Sequence, residues 1–534
     1  MLPNAGTLPG ILSRQTSSRE EHPLLVCDSE RISYAEADRR SARLARGLIA
    51  LGAGKGTHVG LMYPNGTDFV VAMFAAARIG AVVVPFSTFG TAREIGEQLA
   101  DSDAEILLAT ATYRSHDYTQ RLTQVLFDAS LDSDDRLFST AAPQLRHVAF
   151  SYAAGPAGPA RDIEGVCELG DTIDETLLQA MENDVEESDL LAIVYTSGSA
   201  GAPKGVVHTH AALLEHQRNL NEVRGLRASD TLFCNSPFFW IGGFGFGLLA
   251  TVVAGSTLVC SNASDAGVTL DLLEAERPTI ANGFAAAIAR LAQHSSFATR
   301  DLSSVRRGNL YPIMAADVRP ADPELRHNML GMTEAGSTVL LSGAETDQPE
   351  YRRGSFGKPA PGFETTVIDP ETGGVVAPGQ VGELCIRGPH VMQQYHKRRR
   401  EECFDADGWF HTGDLFRTDE DGFYYFISRR DSMIKTAGAN VSPPEVEKAI
   451  AKVTAGTISY VVGLPDTGRG QVVAAAIVVE DGTEFDESGL RAALKSELAV
   501  YKIPTRFAAL QRSAVPMLSS GKVDLHQLKK VFDA

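Results

Sequence analysis

The chain has 534 residues, 44% hydrophobic and 22% charged, which is too long for one core and ordinary for a globular protein of two or more domains. Its formal net charge of −18 excludes a nucleic-acid-binding surface, which needs clustered positive charge. The one dense basic run, His396-Lys397-Arg398-Arg399-Arg400, leads straight into Glu401-Glu402 and reads as a solvated loop.

Met1 to His22 lacks the apolar core of a signal peptide. Tyr34 to Leu51 carries Leu44, Leu48 and Leu51 at helical spacing. Val59 to Met62 reads as a strand, Asp68 to Ile79 as an alanine-rich helix and Ala81 to Pro85 as a second strand. Such alternation predicts a parallel sheet covered by helices. The Gly/Pro/Ala stretch from Ser151 to Glu164 reads as a surface connection. Cys27, Cys167, Cys234, Cys260, Cys385 and Cys403 are scattered without CxxC or metal spacing, so a reducing cytoplasm is the simpler inference.

Leu190 to Tyr195 is an apolar run of buried-strand type. Small residues and hydroxyls follow it, Thr196-Ser197-Gly198-Ser199-Ala200-Gly201-Ala202-Pro203, and Lys204 closes the segment. Glycines let backbone N–H groups converge on an anion, hydroxyls add donors and lysine supplies a point charge, so the segment suits a polyphosphate. It is not a Walker loop, because Pro203 precedes Lys204 and Gly205 follows it. His208-Thr209-His210 has no further ligand-like spacing and reads as packing at a helix start. Gly243 to Cys260 is uncharged and nearly long enough to span a bilayer, but glycines and hydroxyls interrupt it. A glycine-rich turn, a short buried helix and a strand are expected there. After Tyr351 short strands alternate with turns, which predicts an antiparallel, barrel-like subdomain. An α+β pattern closes the chain, with a helix from Pro444 and strands around Tyr460–Gly463 and Val472–Val479.

Six segments, in order, resemble motifs of the acyl-adenylate-forming superfamily of acyl-CoA synthetases, peptide-synthetase adenylation domains and luciferases. They are the loop ending at Lys204, Gly331-Met332-Thr333-Glu334, Gly408 to Asp414, Ser428 to Lys435, Lys435 to Asn440, and Val515 to Asp524. The resemblance runs from Tyr195 to the end and is looser over the first 190 residues. It implies an α/β fold in which residues 1–429 form a large domain of helix-covered, mainly parallel sheets with a barrel-like subdomain at about 351–429. A small mobile α+β domain, 430–534, would turn about a hinge at Asp431.

The same resemblance assigns roles. Thr196, Ser197, Gly198, Ser199, Gly201 and Lys204 would cradle ATP phosphates. Thr333 would meet the α-phosphate, and Glu334 with Thr196 would hold Mg²⁺. Gly308, Asn309, Leu330, Gly331 and Met332 would line the base, with Leu330 where the family has tyrosine. Asp414 would accept from the ribose hydroxyls, Arg429 would contact ribose or phosphate, and Lys522 would bridge the carboxylate and the α-phosphate. Trp240, Gly242, Gly243, Gly283, Phe284 and Met332 would form the acyl pocket, and Gly438 and Trp240 the CoA tunnel. Ser236 to Gly247 carries no aspartate to pair a substrate ammonium, which argues against an amino acid. The glycines leave room for a bulky or long apolar acid: fatty, aryl, polyketide or terpenoid/steroid-derived. The expected partners are that acid, ATP, Mg²⁺ and coenzyme A, with no nucleic acid and no transmembrane segment. A carrier protein in trans is the alternative acceptor, a homodimer is an admissible assembly, and a non-catalytic nucleotide-binding regulator is the rival from another class.

Overall fold

Two sheets share one core in the first three hundred residues of the computed structural model, which describes residues 3–131, 136–151, 161–197, 203–283, 285–430, 434–441, 443–454, 456–480, 485–516 and 523–532. In the first sheet Leu190–Ser197, Val82–Pro85, His58–Met62, Ile106–Thr110 and His147–Ser151 run parallel, in that order. Pro203–Thr209 and Gln394–Tyr395 extend its edge antiparallel. In the second, Arg307–Gly308, Ile280–Asn282, Thr231–Cys234, Thr257–Cys260 and Pro23–Cys27 are parallel, and Glu30–Ser33 closes it antiparallel.

The helix Thr67–Arg78 is apolar on nearly every side because it lies in the core both sheets share, among Leu25, Leu61 and Leu258. Its one buried cation, Arg78, is compensated by Glu182, Asp38 and the Ser41 hydroxyl, as a charge removed from water requires.

The glycine-rich turn expected at the start of Gly243 to Cys260 is instead helical. Ile241–Gly243 leads into a wide π-helical stretch, Phe244–Leu249, then Ala250–Ala254 and the strand Thr257–Cys260. The glycines serve close packing here. A Cβ on Gly245 would stand 2.7 Å from the Gly336 carbonyl, and one on Gly243 2.0 Å from that of Pro237. Among the described residues no helix is long and apolar enough to cross a membrane.

Beyond Tyr351 the strands Glu364–Ile368, Gly382–Arg387, Phe410–Thr418 and Tyr424–Arg429 form an antiparallel sheet, as the short strand–turn spacing predicts. From Ile434 the chain builds a separate sheet. Ala439–Val441, Ile434–Thr436, Gly470–Val479 and Ser459–Asp466 are antiparallel, and Arg506–Gln511 adds parallel to Gly470–Val479. Strand alternation gives this sheet two apolar faces. Val461, Val473 and Ile477 pack with Val446 and Ile503 on one, while Val462, Leu464 and Val472 pack with Val523 and Leu528 on the other.

Candidate active site

A cleft of about 1000 Å³ lies where both parallel sheets, the antiparallel sheet and the C-terminal unit meet. Thr196 and Lys204 enter it from opposed positions of one antiparallel ladder, which places their side chains on the same face. Ser197 ends its strand beside them, and Gly198, Ser199 and Gly201 lie outside the described residues.

The Lys204 ammonium stands 5.1 Å from the Tyr395 ring centroid, and the Tyr395 hydroxyl donates to Glu334 Oε1 at 2.7 Å. Burial, reinforced by the Glu334 carboxylate, pushes the Tyr395 phenol well above its ordinary range, so it remains a donor. Thr333 and Glu334 sit in a 3-10 turn closed by Gly336 at φ +65°. Under this turn His208 Nε2 donates to the Thr333 carbonyl at 2.7 Å. Desolvation lowers the His208 pKa to about 4, which keeps the imidazole neutral. Thr209 caps the following helix, and His210 Nδ1 accepts from the Leu8 amide at 3.0 Å. The His-Thr-His string is thus helix-start packing with one addition, a support for the Thr333 turn. No group of three or more potential metal-ligating side chains of the His/Cys/Asp/Glu type occurs among the described residues.

Asp414 is 3% exposed at a bend of its strand beside Gly413, whose φ is +72°. Two residues unremarked in the sequence hold this bend. Glu383 Oε1 accepts from the Gly413 amide at 3.0 Å, and the Arg430 amide donates to the Gly413 carbonyl at 2.7 Å. Arg430 Nη1 also lies 3.4 Å from Glu383 Oε2. Neither Glu383, in an ordinary strand, nor the second of two arginines gives a sequence signal. The Arg429 side chain lies outside the described residues. Arg398 is exposed, as expected of a solvated basic run, and it also borders the cleft, 5.7 Å from the Tyr395 ring centroid.

Asn309, Leu330, Gly331 and Met332 line the cleft together. Asn309 is clamped to Gly283, accepting from its amide at 3.0 Å and donating to its carbonyl at 2.8 Å. Gly308 lies against the neighbouring strand, where a Cβ would meet the Ala281 carbonyl at 2.0 Å. Trp240, Ile241, Gly242, Phe246 and Gly283 form the apolar end. Gly243 is buried behind it on Pro237, and Phe284 is outside the described residues. Gly283 has φ +144°, and a Cβ there would lie 1.9 Å from Asn235 Oδ1. Gly283→Ala is therefore expected to destabilise the protein by about 2–4 kcal/mol, read as an earlier unfolding midpoint in urea.

The C-terminal unit closes the cleft with Lys435, Gly438, Tyr501 and Lys502. Gly438, φ +82°, turns the hairpin between Ile434–Thr436 and Ala439–Val441. The Trp240 ring meets Phe89, Phe239 and Tyr501 at centroid distances of 5.9, 5.5 and 6.1 Å. Asp431 and Lys522 are outside the described residues.

Lys204 with the Thr196 and Thr333 hydroxyls, the buried Asp414 and an apolar pocket in one interdomain cleft suit a nucleotide-dependent acid-activating ligase. The chain belongs to the AMP-binding enzyme family: residues 12–396 match that family, and residues 445–522 match the AMP-binding enzyme C-terminal domain. It is an acid–thiol ligase of the acyl-CoA synthetase group, within the acyl-adenylate-forming superfamily. It is 30% identical to the putative acyl-CoA synthetase YngI of Bacillus subtilis, over 94% of this chain and 92% of that one. A feruloyl-CoA synthase of Amycolatopsis sp is also 30% identical, over 94% of each chain. In structure it resembles o-succinylbenzoate CoA synthetase of Bacillus subtilis bound with a product analogue, at TM-score 0.76, 24% identity and coverage of 97% of this chain and 98% of that one.

Proposed function

We propose that this enzyme activates a bulky apolar carboxylic acid, an aryl acid foremost, as its acyl-adenylate and passes the acyl group to coenzyme A. The observation that carries this reading is the meeting of Lys204, Thr333, Glu334 and Asp414 in one cleft whose lining also includes Gly438 and Trp240. The name of the feruloyl-CoA synthase relative supports an aryl acid, as do the ring-lined end at Trp240 and Phe246 and the space left at Gly242.

In the first half-reaction a substrate carboxylate oxygen bonds to the α-phosphorus of ATP, and the bond to the pyrophosphate oxygen breaks. Lys204 offsets the charge growing on the phosphate oxygens, and the Thr333 hydroxyl donates to the α-phosphate. Asp414, an acceptor-only carboxylate, takes the ribose hydroxyls. The Glu334 carboxylate and Thr196 hydroxyl are oxygen donors on one cleft and suit Mg²⁺, which would neutralise phosphate charge when bound. Tyr395 fixes the orientation of Glu334 for that task. In the second half-reaction the CoA thiol, losing its proton, bonds to the acyl carbon, and AMP departs. The six cysteines are unpaired, which suits a cytoplasmic enzyme.

The test is AMP and pyrophosphate release across a panel of aryl and alkyl acids, with and without CoA. Acid-dependent pyrophosphate release with CoA-dependent turnover is expected. An adenylate that CoA cannot discharge would replace CoA with a carrier protein. Gly438→Leu tests the tunnel: thioester formation from supplied acyl-AMP should fall at least about 10-fold, with adenylation retained, because a side chain there is strained at positive φ and obstructs the approach.

A further inference from the structure

Two adjacent residues of the large domain, Arg93 and Glu94, begin the helix Ala92–Ser102 and face two residues of the C-terminal unit with opposite charges. Arg93 Nε lies 2.7 Å from Glu497 Oε2, and its guanidinium also donates to the Glu497 carbonyl. In return Lys502 Nζ reaches across to Glu94 Oε1 at 3.0 Å. The Lys502 and Glu94 side chains are each only 13% exposed, so water screens this pair far less than it screens a surface pair.

Each of the four charges also has a partner within its own domain. Arg93 pairs with Glu97 at 2.6 Å, and the Thr91 amide donates to Glu94 Oε2 at 2.9 Å. Lys502 pairs with Glu445 at 2.7 Å, and Glu497 pairs with Lys452 at 2.9 Å. Parting the domains therefore strands no charge. This removes the large penalty that usually attends breaking a buried ion pair and makes the contact reversible. Tyr501, next to Lys502, packs edge-on against Trp240 and Phe89, so the same contact reaches the wall of the acyl pocket.

We propose that Lys502–Glu94 and Glu497–Arg93 form a reversible interdomain latch, whose residues position the Gly438 hairpin over the cleft for thioester formation and take no part in adenylation. This rests on the two-step ligase reading above. Charge reversal tests it by separating the half-reactions. Lys502→Glu should slow thioester formation from supplied acyl-AMP and CoA at least about 10-fold, while pyrophosphate release stays within about 3-fold of wild type. Adding Glu94→Lys should raise thioester formation at least about 3-fold over Lys502→Glu alone, which a merely structural role would not produce, repulsion between the new carboxylate and Glu445 accounting for the remainder. Lys502→Met and Glu94→Gln, which keep volume, should each give a smaller loss in the same step. Amide hydrogen exchange in the first turn of Ala92–Ser102 should quicken in Lys502→Glu and slow again in the double variant. Wild-type thioester formation and exchange in Lys502→Glu, or a double variant no better than the single one, would overturn the latch. Failure of wild type to convert acyl-AMP would instead overturn the ligase reading, while the exchange measurement would still judge the latch.

Discussion

Lys522→Ala is expected to lower acid-dependent pyrophosphate release by about 10²–10³-fold while leaving thioester formation from supplied acyl-adenylate within a few-fold of wild type. The first half of this expectation comes from the motif Val515 to Asp524, in which a fixed cation would meet charge developing between the carboxylate and the α-phosphate. The second half comes from the C-terminal sheet. Val523, next in the chain to Lys522, packs with Val462, Leu464 and Leu528 on one face. Ile434 and Ile503, beside the Lys435–Ala439 hairpin and Lys502 that border the cleft, pack on the opposite face. Two opposite faces of one sheet would serve one cleft in turn on domain rotation, the hinge-type change expected about Asp431. The measurement is single-turnover kinetics of each half-reaction. Equal loss in both would sink the assignment of Lys522 to adenylation alone.

Much of this architecture was legible because its patterns are local. Val59–Met62, Ala81–Pro85 and Leu190–Tyr195 are short apolar runs between turn signals, and they became strands of one parallel sheet. The hairpin texture after Tyr351 became the antiparallel sheet for the same reason. Glycine-rich segments were harder, because absence of a side chain serves opposite ends. Gly242 leaves open space in the cleft, with nothing nearer than 3.7 Å to a Cβ, whereas Gly243 gives its space to a carbonyl. They are neighbours in the chain, and only the third dimension separates their roles. The supporting residues were the least legible. His208 under the Thr333 turn, Glu383 under Gly413 and Tyr395 on Glu334 are distant in sequence from what they hold. Each is an unremarkable residue type at its own position. Arg93, Glu94, Glu497 and Lys502 carry no motif in the sequence, and only the fold brings them together between the domains.

Glu334→Gln should produce a second large loss, at least about 10²-fold in adenylation, because it removes a negative charge without changing shape. Amide and carboxylate have the same volume, and the Tyr395 hydroxyl can still donate to the remaining oxygen. What disappears is the anionic oxygen that would face Mg²⁺, so the Mg²⁺ concentration needed for half-maximal rate should rise along with the fall in kcat. Tyr395→Phe separates charge from orientation. It keeps an aromatic ring 5.1 Å from the Lys204 ammonium but deletes the hydrogen bond to Glu334. A hydrogen bond to a charged group contributes about 1.5–3 kcal/mol, so the phenylalanine variant should lose about 10–100-fold if the bond is fully expressed in the transition state. Its Mg²⁺ requirement should shift less than that of Glu334→Gln, since the carboxylate survives. If Glu334→Gln instead left adenylation and its Mg²⁺ dependence unchanged, Glu334 would be a structural partner of Tyr395 and the metal would have to be held elsewhere in the cleft. Asp414 would then be the next carboxylate to test, for it shares the cleft and is nearly as buried as the core around it.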